Sequence, residues 1–245
     1  MIAIQSADNA NFKRWKTLSS SRGLRKNGEF ILMGEKLVRE FLRDPGAWNI
    51  KAELVPAGRG AVSSAKAYEV SSALFKELDV LGTDFNLLVL QAPAWPAADL
   101  SVPARGLELV CPLGDPSNLG AVVRSARAFG VKRIILTEEA AHPLHPKSVK
   151  ASAGAVLGMD FSLSGPLKDY VAKGPSYALD MRGESVAGFA WPANLRLLLG
   201  EEGPGVPATL KSLPRLSVPT SEVESLNATV AASIALYAWK QSRPR

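Results

Sequence analysis

Cysteine and histidine are nearly absent from this chain. Cys111 is the only cysteine, so no disulfide can form within it. His142 and His145 are the only histidines, in the run HPLHP. Together these are too few soft ligands for a zinc site, and no metal is expected. No apolar run approaches the roughly 20 residues of a membrane helix. The most apolar stretches, Leu195 to Leu199 and Ala231 to Trp239, fall far short. The first thirty residues are polar and basic, without the apolar centre of a secretion signal. These absences lead to the expectation of a soluble protein of the reducing cytoplasm. Also missing are a GxGxxG dinucleotide fingerprint, a Walker lysine and any internal repeat.

What is present suits α/β architecture. The 245 residues are 47% hydrophobic, enough for one large domain or two smaller ones. Lys plus Arg number 29 against 23 Asp plus Glu, a net charge of +6, which favours a polyanionic partner. Gln91 to Gly106 (QAPAWPAADLSVPARG) reads as a linker and divides the chain into residues 1–100 and 107–245. In the first part, strands are predicted over Glu29–Met33, Lys51–Val55 and Phe85–Leu90. A helix is predicted over Glu35–Arg43, and Ser71 or Ser72 caps another that runs through Leu78. In the second part, Leu107–Leu113 and Val131–Leu136 flank a helix over Leu119–Phe129 that Gly130 ends. This βαβ unit implies a parallel sheet. Further strands fall at Tyr177–Leu179, Leu195–Leu199 and Leu216–Val218. A last helix is expected over Leu226–Trp239, with Leu226, Val230, Ile234 and Tyr237 on its buried face.

One stretch carries concentrated charge. Lys13, Arg14, Lys16, Arg22, Arg25 and Lys26 follow one another with no acid between them, among Trp15, Ser19, Ser20 and Ser21. Such a stretch is either a phosphate-binding patch or a solvated helix face.

Three loops at predicted strand ends are rich in functional residue types, and in parallel sheets ligands gather at the carboxyl ends of strands. The first is DPSNLG (Asp115 to Gly120), leading into AVVRSAR, where Asn118 either caps the helix or serves a site and Arg124 faces away from the core. The second is LGEEGPGV (Leu199 to Val206). Its glycines permit close approach of a ligand to the backbone or simply make a tight turn. Its two acids argue against a phosphate cradle and favour a neutral or cationic ligand. The third is VPTSEVESLN (Val218 to Asn227), where Ser225 reads as an N-cap and Asn227 as first-turn.

DPSNLGAVVRSARAFGV, LLGEEGPGVP and VPTSEVESLNATVAASIAL, in this order and spacing, resemble the three signature motifs of the SpoU/TrmH RNA 2′-O-ribose methyltransferases. HPKSVKASAGAV (His145 to Val156) is similar to that family's intermediate segment. FILMGEKLVREFL is similar to the small substrate-binding domain that precedes the catalytic domain in ribosomal-RNA members, with Met33-Gly34-Glu35 where the family usually has Glu-Gly. The resemblance implies a knotted (trefoil) parallel-sheet methyltransferase domain preceded by a small α/β substrate-binding domain. It implies S-adenosyl-L-methionine as cofactor, a structured RNA as substrate (ribosomal RNA, with transfer RNA as the alternative) and a homodimer paired through the last helix. It further implies that Leu199, Gly200, Val218 and Leu226 hold the cofactor through backbone groups, with Thr137 as a further contact. Arg124, Asn118, Glu202, Ser225 and Asn227 match the catalytic positions, while Glu201 falls on a variable one.

A ribose hydroxyl is a poor nucleophile and an arginine is always protonated. The role read for Arg124 is therefore to hold phosphate and stabilise developing alkoxide, with Asn118 orienting it or the ribose. Two other classes compete: a non-catalytic RNA-binding protein retaining the fold, and a nucleotide-binding α/β enzyme without RNA. The intact motif residues weigh against the first. The Lys13–Lys26 stretch discriminates against the second.

Overall fold

The computed structural model describes residues 1–243. The chain forms two compact units, Met1–Ala94 with His142–Gly154, and Trp95–Ala141 with Ala155–Arg245. In the first unit the order is β1 (Ile2–Ile4), α1 (Ala10–Thr17), α2 (Ser21–Asn27), β2 (Glu29–Leu32), α3 (Glu35–Arg43), β3 (Ile50–Pro56), β4 (Ala67–Val70), α4 (Ser72–Leu78) and β5 (Leu87–Gln91). The sheet order is β1-β4-β3-β5-β2. Strands β1, β4 and β3 are parallel, and β5 runs antiparallel to both β3 and β2. The basic stretch folds as the two short helices α1 and α2, capped by Asn9 and Ser20. Their apolar residues Phe12, Trp15, Leu18 and Leu24 are fully buried, and Trp15 meets Tyr68 edge-on at 5.1 Å. Strands β1 and β4, three and four residues long, escape the sequence reading because so few residues carry no period.

The second unit contains β6 (Leu107–Cys111), α5 (Pro116–Phe129) and β7 (Arg133–Leu136). The chain then contributes α6 (Pro146–Ala151) to the first unit, where the His142 N–H donates to Ser21 Oγ at 3.3 Å. Burial pushes the His142 imidazole down to about 4, helped by the charges of Arg25 and His145. The second unit resumes with β8 (Phe161–Leu163), β9 (Ser176–Ser185), β10 (Leu195–Leu198), β11 (Arg215–Ser217) and α7 (Ala228–Gln241). Its six strands lie in the order β11-β9-β10-β6-β7-β8, every pair parallel. Strands β6 and β10 are buried at every position, as central strands of a parallel sheet are, and are apolar except for Glu108 and Arg196. The stretch read as a linker follows this sheet, with Ala97 bridging Leu163 in parallel.

Four local expectations are corrected. Helix α5 starts at Pro116, not Leu119. Asp115 is the cap, its carboxylate accepting from the Ser117 and Asn118 N–H groups at 2.8 Å, and proline suits the first turn because it lacks an N–H. Strand β9 continues beyond Leu179 to Ser185. Its polar second half lines up with edge strand β11, where burial imposes no apolar alternation. Helix α7 starts at Ala228 and is capped by Asn227, not Ser225. Its buried face is Ala232, Ala235, Leu236 and Trp239. Val230, Ile234 and Tyr237, expected inside, are 47%, 39% and 52% exposed. Both sets recur at helical spacing, so periodicity alone could not choose between them.

At the amino ends of the strands lies a row of charges, buried at Glu108 and Arg196 and exposed at Arg133. Glu108 on β6 is in register with Arg196 on β10 and Arg133 on β7. Arg196 is 2% exposed and donates to the Glu108 carboxylate at 2.9 Å. Its remaining donors reach the carbonyls of Lys173 and Val102 at 3.1 and 2.9 Å. Removing the cation strands a desolvated carboxylate. Arg196→Met is therefore expected to cost about 3–5 kcal/mol in urea denaturation, with Glu108→Leu in the same chain recovering much of it. A loss below about 1 kcal/mol would show the pair to be solvated.

Candidate active site

Beyond the carboxyl end of β10, and alongside residues Leu179–Arg182 of β9, opens a cleft of about 1130 Å³. The glycine loop after β10 makes one wall. Glu201 and Gly205 exchange backbone hydrogen bonds at 2.9 and 3.0 Å, closing the loop on itself. A Cβ at Gly200 would lie 2.7 Å from the Gly205 carbonyl carbon, so the fold of this loop requires glycine there. Val218, Ser225, Leu226 and Asn227 line the cleft from the segment before α7, joining Leu199, Gly200 and Glu202.

The first motif meets this cleft through hydrogen bonds. Glu202 Oε2 accepts from the Asp115 N–H at 3.0 Å, and Oε1 accepts from Asn118 Nδ2 at 2.5 Å. Asn118 is thus a bridge between α5 and the glycine loop, not the cap of α5. The Asn227 side chain caps α7 by accepting from the Thr229 N–H at 2.9 Å. Ser225 is exposed at the rim. The structure therefore brings together Asn118, Glu202, Ser225, Asn227, Leu199, Gly200, Val218 and Leu226.

Residues 109–237 match the SpoU rRNA Methylase family. The chain belongs to this family. It is 39% identical, over 98% of its length, to the Ribosomal RNA small subunit methyltransferase G 2 of Syntrophobacter fumaroxidans, but spans only 49% of that protein. It is 28% identical to the 23S rRNA (guanosine(2553)-2′-O)-methyltransferase RlmP of Bacillus subtilis, covering 97% of this chain and 98% of that one. The SpoU methyltransferase AviRb from Streptomyces viridochromogenes, solved in complex with AdoMet, superposes with a TM-score of 0.78 at 24% identity. That alignment covers 95% of this chain and 97% of the other, and so shares the fold.

Two predicted residues sit apart from the family's cleft. Thr137, at the end of β7, is buried with its hydroxyl bonded to Glu139 and is not among the cleft-lining residues. Burial would raise the Glu139 pKa, but the Thr137 hydroxyl and the Leu167 N–H outweigh it and hold the carboxyl below its usual value. Arg124 lies on the exposed side of α5 and makes no hydrogen bond or ion pair among the described residues. Cys111 offers no nucleophile, because burial pushes its thiol up to about 12.

In the folded first unit the basic stretch is less uniformly charged than in sequence. Lys13 pairs with Asp8 at 2.8 Å, Arg14 with Glu29 at 3.4 Å and Lys16 with Glu77 at 2.5 Å. Arg22, Arg25 and Lys26 of α2 are exposed. Pairing with Glu77, 61 residues away, leaves no trace in local sequence. Sequence reasoning also missed the Asp180–Arg215 ion pair and Met181 in the cleft wall, because it ended β9 too early.

The closed glycine loop has a measurable consequence. Gly200→Ala is expected to cost about 1–3 kcal/mol by urea denaturation, the cost of overpacking against backbone that cannot yield. Gly203, with φ +90 and open space around it, should show only the backbone cost of about 1–2 kcal/mol on substitution by alanine. A Gly200→Ala protein as stable as wild type would mean that the loop opens freely.

Proposed function

We propose that this protein transfers a methyl group from S-adenosylmethionine to a ribose 2′-hydroxyl of ribosomal RNA. The observation that carries this reading is the Glu202–Asn118 hydrogen bond, which joins the first motif to a cleft lined by the second and third. Family membership and the 2′-O-methyltransferase name of the RlmP relative support the same activity. The 98% coverage of that ribosomal-RNA enzyme favours ribosomal over transfer RNA.

The cleft suits the cofactor. Leu199, Val218 and Leu226 offer apolar surface to an adenosine, and the bare Gly200 lets it approach the main chain. Glu201, Glu202 and Glu224 on the loops place negative charge near a sulfonium cation, while Arg182, Lys211 and the Asp180–Arg215 pair line the β9 and β11 side. When bound, the cofactor supplies an electrophilic methyl group. The chain's own residues align the ribose with it and stabilise the oxygen that attacks. In this reading Arg124, permanently protonated and exposed, holds the nucleotide's phosphate and the developing alkoxide. Glu202 fixes Asn118 at the start of α5, and Ser225 and Asn227 border the reacting groups. The glycine loop and the Val218–Asn227 segment form the trefoil knot. The first unit binds the RNA, and the protein works in the cytoplasm.

Two experiments test the activity. Calorimetry in a chelator should register S-adenosylmethionine binding without metal; no heat and no thermal shift at millimolar ligand would refute the assignment. Arg124→Ala should abolish single-turnover methyl transfer while leaving cofactor affinity intact, and a near-normal rate would remove Arg124 from the catalytic set.

RNA affinity should depend on α2. Replacing Arg22, Arg25 and Lys26 by glutamate should weaken binding and flatten its log–log salt dependence by about 0.9 per lost duplex phosphate contact, or about 0.7 on single strands. An unchanged slope would make this surface a mere solvated face.

The exposed stripe of Val230, Ile234 and Tyr237 supports a homodimer paired through α7. Sedimentation at micromolar concentration should give a dimer that Ile234→Glu splits into monomers. A monomeric wild-type protein excludes this assembly.

A further inference from the structure

We propose that Thr229 is a positioning residue of the methyl-transfer site, holding the Asn118 carboxamide in the orientation that Glu202 requires; this rests on the reading of the cleft given above. The Asn118 side chain has two polar ends. Its Nδ2 donates to Glu202 Oε1 at 2.5 Å. At its other end, Thr229 Oγ1 lies 3.3 Å from Oδ1 and 3.4 Å from the Asn118 carbonyl oxygen, so one hydroxyl proton straddles two acceptors. Through its backbone N–H the same residue holds Asn227 Oδ1 at 2.9 Å. Thr229 therefore touches both asparagines of the site, one with its side chain and one with its main chain.

Through its backbone carbonyl Thr229 also joins a line of hydroxyls that runs within α7 and then across to α5. Ser233 Oγ donates to the Thr229 carbonyl at 2.8 Å. With that proton committed, Ser125 is the donor in the 2.7 Å contact between Ser125 Oγ and Ser233 Oγ. Phe129 and Tyr237 meet edge-on at 5.9 Å further along. These contacts set the register of α7 on α5, and Thr229 is the end of the seam nearest the cleft. A carboxamide turned over would set Oδ1 against the Glu202 carboxylate, acceptor facing acceptor. Glu202 thus fixes which end is which, and the Thr229 hydroxyl holds the Oδ1 end in place from the other side. Its contacts are longer than the 2.7–2.8 Å usual for a hydroxyl donor, so its contribution is to orientation more than to stability.

Thr229→Val keeps the shape and removes the donor, Thr229→Ser keeps the donor, and Ser125→Ala cuts the seam away from the site. Three quantities are measured: methyl transfer to a ribosomal RNA fragment, S-adenosylmethionine affinity by calorimetry, and the Asn118 side-chain amide resonances by NMR in ¹⁵N-labelled protein. Thr229→Val should lower kcat about tenfold, short of the ~10²-fold that a 1 Å misplacement costs, with cofactor affinity unchanged and the Asn118 amide pair shifted. Thr229→Ser should restore kcat and the resonance positions. Ser125→Ala should lower the melting temperature without changing kcat. Wild-type kcat in Thr229→Val, a serine variant as slow as the valine one, or an unmoved Asn118 amide would each overturn the assignment. A wild-type protein that neither binds the cofactor nor methylates RNA would refute the proposed activity instead. In that case the Asn118 resonances still decide whether Thr229 holds the side chain.

Discussion

The carboxylate of Glu202 is the contact on which the candidate site depends. It reaches from the glycine loop to the start of α5 and accepts from both the Asp115 N–H and the Asn118 amide. A carboxylate at a helix amino terminus meets unpaired N–H groups and the positive end of the helix dipole, so the position itself favours the ionised side chain. Without this tie the glycine loop and the first motif would be two separate strand-end loops of the same sheet. With it they form one surface, and Asn118 passes the connection on to Thr229 and α7.

The parallel sheet separates stability from chemistry along its strands. The Glu108–Arg196 pair lies at the amino ends, buried, with each Arg196 nitrogen bonded, and the exposed Arg133 flanks it. The cleft lies at the carboxyl ends, where the loops are free to differ in length and content. Charge at the first end is a fold requirement, since losing one partner leaves the other desolvated. Charge at the second end, on Glu201, Glu202 and Glu224, is partly exposed and available to a ligand.

Helix α7 serves two surfaces. Its alanine-rich face, with Leu236 and Trp239, is buried in the unit, while Val230, Ile234 and Tyr237 remain open to solvent. Small residues let α7 approach α5 closely enough for the Ser125–Ser233 contact. The larger residues are therefore displaced to the outer face, which explains why a helix so apolar lies at the surface of its unit.

The amino-acid sequence by itself determined the βαβ character, the parallel sheet, the absence of disulfides and the three loops of the site. Each is a local property: short apolar runs, helix periods, and glycine or asparagine at turns. Family membership was legible for the same reason, because the three motifs are contiguous strings. Only the tertiary structure decided which face of α7 is buried, that Asp115 and not Asn118 caps α5, that β9 runs on to Ser185 and that His142–Gly154 belongs with the first unit. It also decided which cations of the basic stretch meet acids, and that Glu202, 84 residues from Asn118, accepts its hydrogen bond. These outcomes depend on partners brought together by the closing of the sheets, and a pairing between distant residues has no period or spacing from which to be read.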